Sequence, residues 1–214
     1  HQTIQDLKEK HNKTPGLAVV LVGENPASQV YVRMKNKACH AIGIYSEQHN
    51  LDADVSEAEL VRLVEDLNNN DRIDGILVQL PLPDHIEENK LITTIRPEKD
   101  VDGFHPVSMG RLLIGQKGFL PCTPYGVQMM LVHAGIQTEG AHVVVVGRSN
   151  IVGKHVENIL MQKKEYEKEK EKKRNKKKKN MAAITRQADI LIAAIGRPEM
   201  ITADMVKEGA VVID

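Results

Sequence analysis

Residues 143–154 read VVVVGRSNIVGK, which combines a strand, a turn and the start of a helix. Four consecutive valines suit a strand that is covered on both faces, as in a parallel sheet. The run ends at Gly147, and a helix is predicted to begin near Gly153. The N–H groups of this turn and of the helix N-terminus would then converge where a phosphate can bind.

The glycine pattern of this turn leaves its function open. Gly147 and Gly153 are separated by five residues, so the second glycine of the common G-x-G-x-x-G dinucleotide pattern is missing. Arg148 and Ser149 add side-chain donors that suit a phosphate. A nucleotide site and a plain strand–turn–helix connection both fit the sequence.

Further short apolar runs lie along the chain, at residues 17–22, 73–80, 189–195 and 210–213. Segments with helical spacing lie between them. Ser56 and Glu59 form a capping box, and Thr123 before Pro124 predicts the N-cap of another helix. Strands that alternate with helices predict an α/β fold with parallel sheets.

The domain organisation is predicted from a proline- and glycine-rich stretch at residues 102–124, which separates two α/β blocks. We therefore expect two domains, at residues 1–121 and 122–214. The last predicted strand runs to the final residue, Asp214, with no helix after it. The second domain is therefore expected to be truncated at its C-terminus.

The composition limits the functional classes. The 214 residues are 41% hydrophobic and carry 29 basic and 29 acidic side chains. Zero net charge and few aromatic residues (four Tyr, two Phe) argue against a nucleic-acid-binding protein. No apolar run is long enough to span a membrane. Two cysteines, Cys39 and Cys122, indicate free thiols in a reducing compartment, so we predict a cytoplasmic globular protein.

One tract departs from this charge balance. Residues 163–179 read KKEYEKEKEKKRNKKKK, with eleven basic and four acidic side chains and a net charge of +7. Such a tract cannot form a buried strand, but it suits a solvated helix or a disordered segment. It leaves one alternative function open, a degenerate α/β protein that binds nucleic acid or acidic surfaces through the tract.

The first candidate site lies in residues 24–38, ENPASQVYVRMKNKA, where Pro26 and Ser28 can start a helix. Tyr31 and Lys35 are one helical turn apart and share a face. An apolar stripe is predicted at Tyr31, Met34, Ala38 and Ile42. A lysine beside that stripe would be partly desolvated, which favours the neutral amine that a general base needs. The alternative is a surface lysine whose stem lies along apolar neighbours.

Two further candidates follow predicted strands. Gln79 lies at the end of the run 73–80, where open α/β sheets bind ligands, although a glutamine there can also cap its own turn. DVDG at residues 100–103 can hold a hydrogen-bonding ring or form an Asx turn. Cys122 is expected to be a buried small side chain, and the scattered histidines predict no metal site.

Five motifs together resemble one family: VLVGENPASQVYVRMKNKA, GILVQLPLP, PEKDVDGFHP, LPCTPYGV and VVVVGRSNIVGK. In order and spacing they are similar to the bifunctional methylenetetrahydrofolate dehydrogenase/methenyltetrahydrofolate cyclohydrolases of bacterial type. The resemblance covers residues 15–162 and 180–214. Short-chain dehydrogenases share the Tyr31–Lys35 spacing, but their pair follows the nucleotide loop, whereas this pair precedes Gly147.

The resemblance implies a multifunctional oxidoreductase and hydrolase of one-carbon metabolism and purine biosynthesis. It would oxidise 5,10-methylene-tetrahydrofolate with NADP and hydrolyse the methenyl product to 10-formyl-tetrahydrofolate. The implied architecture is two α/β lobes with parallel sheets, the second a Rossmann-like NADP-binding domain, with a cleft between them. The implied partners are a folate substrate and a second copy in a homodimer, without nucleic acid or membrane.

The resemblance also implies the roles of individual residues. Lys35 is the implied catalytic lysine, Gln79 its hydrogen-bond partner, and Asp102 the group that holds the pterin. The implied substrate-binding residues, with Tyr31 against the folate rings, are Ser28, Tyr31 and Cys122. The implied cofactor-binding residues are Gly147, Arg148 and Ser149. Of these, Arg148 and Ser149 favour the extra phosphate of NADP.

The chain departs from the family pattern at two internal places. His155 stands where a proline is usual, and residues 167–179 replace an apolar strand of the dinucleotide-binding sheet. Either that sheet lacks a strand, or the written residues of this tract are not the native ones. Because Lys35, Gln79 and Asp102 are intact, we expect the chain as written to lose NADP affinity more than cyclohydrolase chemistry.

Overall fold

The computed structural model describes residues 2–162 and 181–214. The chain divides into two compact units, His1–Ser108 and Met109–Asp214. This division falls inside the helix Pro106–Leu113, and the domain boundary predicted between residues 121 and 122 stays a prediction. The basic tract at residues 163–179, with the alternatives raised for it, lies outside the described residues.

The first unit is built on a parallel three-stranded sheet with the strand order β2-β1-β3. Its strands are β1 (Gly16–Val22), β2 (Tyr45–Leu51) and β3 (Gly75–Val78). Its helices are α1 (Gln2–His11), α2 (Pro26–Ile42), α3 (Glu57–Asn69) and α4 (Glu88–Thr94), and α5 (Pro106–Leu113) begins at its end. The central strand β1 places alternate residues in two different apolar clusters, so both of its faces are covered. This burial explains its uninterrupted apolar sequence.

The second unit repeats the plan with a parallel sheet in the order β4-β5-β6. Its strands are β4 (Val143–Val146), β5 (Ile190–Ala193) and β6 (Val211–Ile213). Its helices are α6 (Cys122–His133), α7 (Gly153–Leu160), α8 (Met181–Thr185) and a short 3-10 helix, Ala203–Met205. The α/β fold with two parallel-sheet lobes is thereby confirmed. No helix in the described ranges is long and apolar enough to cross a membrane.

The predicted helix starts have different outcomes. Ser56 caps α3 as predicted, and its Oγ accepts from the backbone N–H of Glu59 at 3.2 Å. The N-cap predicted at Thr123 is wrong, because α6 already begins at Cys122 after Pro121. Pro124 therefore lies in the first helical turn, where a missing N–H removes no intrahelical bond.

An aspartate at the amino end of a strand fixes the neighbouring strand in each sheet. In the first unit, Asp74 accepts from the backbone N–H of Gly16 at 2.9 Å and pairs with Lys13 at 2.8 Å. In the second unit, Asp189 accepts from the backbone N–H of His142 at 2.8 Å. These contacts tie the amino ends of the strands, so the carboxyl ends are left for ligands.

Candidate active site

Helix α2 buries a different face from the predicted one. Tyr31 and Met34 are 61% and 63% exposed, so the predicted stripe through them is not the packing face. The buried residues of α2 are Ser28, Val32 and Cys39. Val32 packs in an apolar cluster with residues of β1 and β3, and Lys35 has the helical spacing that continues this face. Lys35 therefore lies on the side of α2 that packs against the sheet, whereas Tyr31 lies beside that packing face and is exposed.

The start of α2 is fixed by the residue before it. The helix begins at Pro26, and Asn25 Oδ1 accepts from the backbone N–H of Ser28 at 3.1 Å. Proline suits this first helical position, because its N–H would have no intrahelical partner. The prediction that this segment starts a helix is confirmed, and Ser28 is buried in its first turn.

Lys35 reaches the carboxyl end of the sheet, where Gln79 follows β3. Lys35 Nζ donates to Gln79 Oε1 at 3.0 Å. Gln79 Nε2 donates to the carbonyl of Leu80 at 2.9 Å, and its backbone N–H donates to the carbonyl of Val20 at 2.8 Å. Gln79 thus caps its own turn through Nε2, as one of the two alternatives predicted, and its Oε1 contacts Lys35. A contact of Gln79 with a ligand stays a prediction. The hydrogen bond implied by the resemblance is present.

The two acids of DVDG have different surroundings. Asp100 forms the turn, since its carboxylate accepts from the backbone N–H of Gly103 at 3.0 Å. Asp102 is partly buried, and burial is the main cause that raises its pKa to about 6. The positive charge of Lys35 opposes this rise, whereas the negative charge of Asp100 adds to it. Asp102 is therefore within electrostatic reach of Lys35.

These contacts bring Lys35, Gln79 and Asp102 together in the first unit, at the carboxyl end of its sheet. Such a group offers an amine, an amide oxygen and a carboxyl whose protonation changes near neutral pH. Sequence reasoning left two alternatives for the acids of DVDG, and for Asp100 the Asx turn is the one observed. In the described residues, no cluster of three or more His, Cys, Asp or Glu side chains could hold a metal ion.

The raised pKa of Asp102 predicts a pH-dependent cost to stability. Between the unfolded pKa near 3.8 and the folded pKa of about 6, the folded protein holds a proton that the unfolded chain has lost. Stability from this group therefore falls as pH rises through that window. Asp102→Asn should raise the free energy of unfolding at pH 8 by roughly 1–3 kcal/mol, and by much less at pH 4.

Urea denaturation at both pH values measures this difference. The exposed Asp54 supplies the matched control, since Asp54→Asn changes a solvated carboxyl group. An Asp102→Asn gain that is equal at the two pH values, or larger at pH 4, would contradict the buried carboxyl described here.

The turn after β4 depends on two glycines. Gly147 has φ 148°, and a Cβ on it would lie 2.3 Å from the carbonyl oxygen of Ala194 in the neighbouring segment. A Cβ on Gly153 would lie 2.4 Å from the carbonyl oxygen of Gly147. The turn thus folds tightly onto itself at the carboxyl end of the second sheet, ahead of α7. Backbone N–H groups at such a place suit an anionic dinucleotide.

The polar side chains of this turn fit the same ligand. Ser149 Oγ accepts from the backbone N–H of Val152 at 3.1 Å, so its own hydrogen can still be donated. Arg148 and Ser149 are exposed, as phosphate-binding groups must be. His155, the departure from the family pattern, is buried in α7.

Cys122 differs from its predicted burial. It is exposed at the start of α6 in the second unit, whereas Cys39 is buried in α2. The expected buried side chain at Cys122 is therefore wrong, because the helix begins at this residue and not two residues later. Both cysteines are free thiols, as predicted.

Family models match both units of the chain. The catalytic domain of tetrahydrofolate dehydrogenase/cyclohydrolase matches residues 1–102, and the NAD(P)-binding domain of the same enzyme matches residues 121–214. The chain belongs to this family. Both parts of this bifunctional enzyme, the catalytic domain and the NAD(P)-binding domain, are thus represented in the chain.

Individual relatives agree with this assignment. The bifunctional protein FolD of Moorella thermoacetica is 58% identical over 200 residues, which are 94% of this chain and 70% of that protein. The crystal structure of FolD from Campylobacter jejuni is 44% identical with a TM-score of 0.87, over 99% of this chain and 73% of that chain. FolD of Trypanosoma brucei, solved with NADP cofactor and an inhibitor, is 33% identical with a TM-score of 0.87, over 99% and 71%.

Proposed function

We propose that the protein is an NADP-dependent methylenetetrahydrofolate dehydrogenase and methenyltetrahydrofolate cyclohydrolase. It oxidises 5,10-methylene-tetrahydrofolate to the 5,10-methenyl form and hydrolyses that product to 10-formyl-tetrahydrofolate, in one-carbon metabolism. The observation that carries this proposal is the hydrogen bond between Lys35 Nζ and Gln79 Oε1, with Asp102 in reach, in a member of this family.

Lys35 is proposed as the group that moves the proton during hydrolysis. Gln79 Oε1 accepts one N–H of Lys35 and fixes the position of Nζ. In its deprotonated form, the amine held there takes a proton from the water whose oxygen bonds to the methenyl carbon. When the bond from that carbon to the ring nitrogen breaks, the same proton passes to the nitrogen, which regenerates the amine. The hydroxyl proton of the tetrahedral intermediate is released to water as the formyl C=O forms.

The folate is proposed to be held by side chains around this group. Asp102, mostly ionised above pH 6, can accept from N–H groups of the pterin. Tyr31 offers an exposed ring one helical turn from Lys35, which suits stacking on the folate rings. Ser28 is proposed as a further substrate-binding residue, and the substrate-binding role implied for Cys122 stays a prediction.

When bound, NADP would supply the acceptor of the hydride from the methylene carbon. Gly147 is proposed to let the cofactor approach the backbone closely, and Arg148 and Ser149 to bind phosphate oxygens. The tight turn and the two exposed donors fit this group. The weakening of NADP binding expected from residues 167–179 stays a prediction.

The activity is tested by mixing the protein with 5,10-methylene-tetrahydrofolate and NADP and recording reduced cofactor and methenyl product together. We expect reduced cofactor without lasting methenyl absorbance. If no cofactor is reduced, methenyl substrate is added directly. Its decay would support the hydrolase and place the fault in cofactor binding, whereas no decay above the buffer rate would contradict the proposal.

Three further properties are proposed from the family resemblance and composition. The protein is a cytoplasmic homodimer, and its 10-formyl product serves purine biosynthesis. Two free cysteines suit a reducing compartment. Sedimentation equilibrium would test the dimer, since a mass near the 23.8 kDa of one chain would contradict it.

The alternative function receives no support from the comparisons. A nucleic-acid-binding protein would use the basic tract at residues 163–179, which lies outside the described residues. The family models and the similar proteins reported above are all folate enzymes or their domains. Salt-sensitive retention on a nucleic-acid column would favour the alternative.

A further inference from the structure

Asp100 is a buried carboxylate that the mechanism above does not use. Only 3% of its surface is exposed. Its Oδ1 accepts from the backbone N–H groups of Gly103 at 3.0 Å and Phe104 at 3.3 Å. Its Oδ2 accepts from the backbone N–H of His105 at 3.0 Å and from Ser108 Oγ at 2.6 Å. One side chain thus holds most of the loop that follows it.

The backbone of Asp100 is tied to the sheet on its other side. Asp100 forms a parallel bridge with Ile76 of β3, and the backbone N–H of Ile76 donates to the carbonyl of Lys99 at 2.8 Å. The same strand leads directly into Gln79. Asp100 therefore connects the loop that carries Asp102 to the strand that carries Gln79.

The contacts of Asp100 fix the chain on both sides of Asp102. Asp102 lies between the bridge to β3 and the first backbone N–H that the carboxylate binds, at Gly103. Gly103 itself has φ 73°, a left-handed conformation that turns the chain sharply after Asp102. The direction of the Asp102 side chain is consequently set by how Asp100 is held.

We propose that Asp100 is a positioning residue for this reaction, which holds the Asp102 carboxyl group beside Lys35 and Gln79. The proposal rests on the proposed function. Asp100 acts through Asp102, because its own oxygens are already bonded to four donors. The negative charge of Asp100 also raises the pKa of Asp102, which supports a coupling between the two acids.

The variant Asp100→Asn tests this proposal. Its amide would direct an N–H group at a donor that the carboxylate now accepts from, so the loop should shift. We expect the KM for 5,10-methenyl-tetrahydrofolate to rise roughly tenfold, about the effect of one lost hydrogen bond to the substrate, with a smaller change in kcat. KM should also change at a lower pH in this variant. The substitution removes the negative charge of Asp100, which raises the pKa of Asp102, and leaves the positive charge of Lys35, which lowers it.

A double-mutant cycle separates positioning from a general structural role. If Asp100 acts through Asp102, the double variant Asp100→Asn with Asp102→Asn should have the KM of Asp102→Asn alone, within about twofold. If Asp100 had a purely structural role, Asp100→Asn would raise KM by the same factor in wild type and in Asp102→Asn. Additive effects, or an unchanged KM in a folded Asp100→Asn protein, would overturn the proposal.

Asp74→Asn is the matched control, because Asp74 also accepts a backbone N–H beside β3, at the opposite end of the strand. It should lower stability and leave KM and its pH dependence unchanged. If Asp100→Asn does not fold, Ser108→Ala removes one donor and keeps the charge. It should raise KM a few-fold, but not in the Asp102→Asn background, and a KM equal to wild type would overturn the proposal.

One readout does not depend on turnover. Carbon-13 NMR of the carboxyl groups gives the titration of Asp102, which is assigned by its loss in Asp102→Asn. The titration should move to lower pH in Asp100→Asn. If wild type lacks activity but this shift is present, the proposed function fails and the coupling of the two acids stands. An unshifted titration in a folded variant would overturn the coupling.

Discussion

Lys35→Met should lower the rate of methenyl-tetrahydrofolate hydrolysis by about 10²–10⁴-fold, the usual contribution of a positioned general base. The substitution keeps a stem of similar length and removes the amine that Gln79 Oε1 holds at 3.0 Å. No other amine is described beside that oxygen, so no group replaces the proton acceptor. The rate is measured from the decay of methenyl absorbance under saturating substrate.

The protein should remain folded after this substitution. Gln79 Oε1 loses a donor, which costs on the order of 1 kcal/mol when the oxygen is partly open to water. The Gln79 amide remains anchored through the carbonyl of Leu80. Folded variant protein with much reduced hydrolysis is therefore the expected result, and a melting curve close to that of wild type would show it.

Lys37→Met is the matched control for Lys35→Met. Lys37 is exposed on the same helix, two residues further along, and such neighbours do not share a face. Its loss should leave hydrolysis within twofold of wild type, an estimate based on the small effects of surface substitutions. If Lys35→Met hydrolyses methenyl substrate as fast as this control, Lys35 is not the proton-moving group.

The dehydrogenase step should respond less to the loss of Lys35. Hydride transfer depends mainly on the mutual orientation of two bound rings, and the amine contributes to it only through positioning. We expect NADP affinity to stay unchanged, because the proposed cofactor residues lie in the second unit. Equal loss of both activities with unchanged substrate binding would indicate that the lysine serves both steps.

The strands that sequence predicts are those with consecutive apolar residues, namely β1, β3, β4, β5 and β6. Of these, β1, β3 and β5 are mostly buried, whereas β4 is half-buried and Val212 of β6 is exposed. Strand β2, Tyr45–Leu51, was missed because it reads YSEQHNL. It lies at the edge of its sheet and pairs with β1 along its whole length. The position of β2 is set by its pairing with β1, so the composition of β2 itself does not mark it as a strand.

The packing face of α2 was hidden for a similar reason. Local pattern pointed to Tyr31 and Met34, but these apolar residues face outward, where Tyr31 can serve the substrate. The buried side includes Ser28 and Cys39, which an apolar-period search does not mark. An apolar residue that is exposed for the substrate and one that is buried in the core thus look alike in the sequence. Only the tertiary contacts of Val32 show which face of α2 meets the sheet.

The predicted proximity of Lys35, Gln79 and Asp102 rested on resemblance and on one topological rule. Residues at the carboxyl ends of parallel strands meet at one edge of a sheet, which accounts for Gln79. The role of Asp100 is different, because its four donors lie three to eight residues further along and act only once the loop has closed. The Asx-turn pattern in the sequence predicts the local bend, but it does not predict that the carboxylate of Asp100 is buried and bound by the loop.

Gly147→Ala is expected to weaken NADP binding, raising the dissociation constant by roughly 10–100-fold, the effect of about 1–3 kcal/mol for a backbone donor left unpaired. The Cβ would lie 2.3 Å from the carbonyl oxygen of Ala194, and φ is 148°, which L side chains rarely adopt. Ala194 is itself bonded to Val146 at the end of β4, so the clash can be relieved only by separating strand ends. Isothermal titration with NADP measures the loss.

Two comparisons make this result specific to the turn. Gly126 lies in α6 of the same unit with open space around its Cβ position, so Gly126→Ala should keep NADP affinity and favour its helix. Methenyl hydrolysis by Gly147→Ala should stay within a few-fold of wild type, since Lys35, Gln79 and Asp102 belong to the first unit. Wild-type NADP affinity in a folded Gly147→Ala protein would show that the cofactor does not use this turn. Loss of both activities together would show instead that the two units depend on each other for their chemistry.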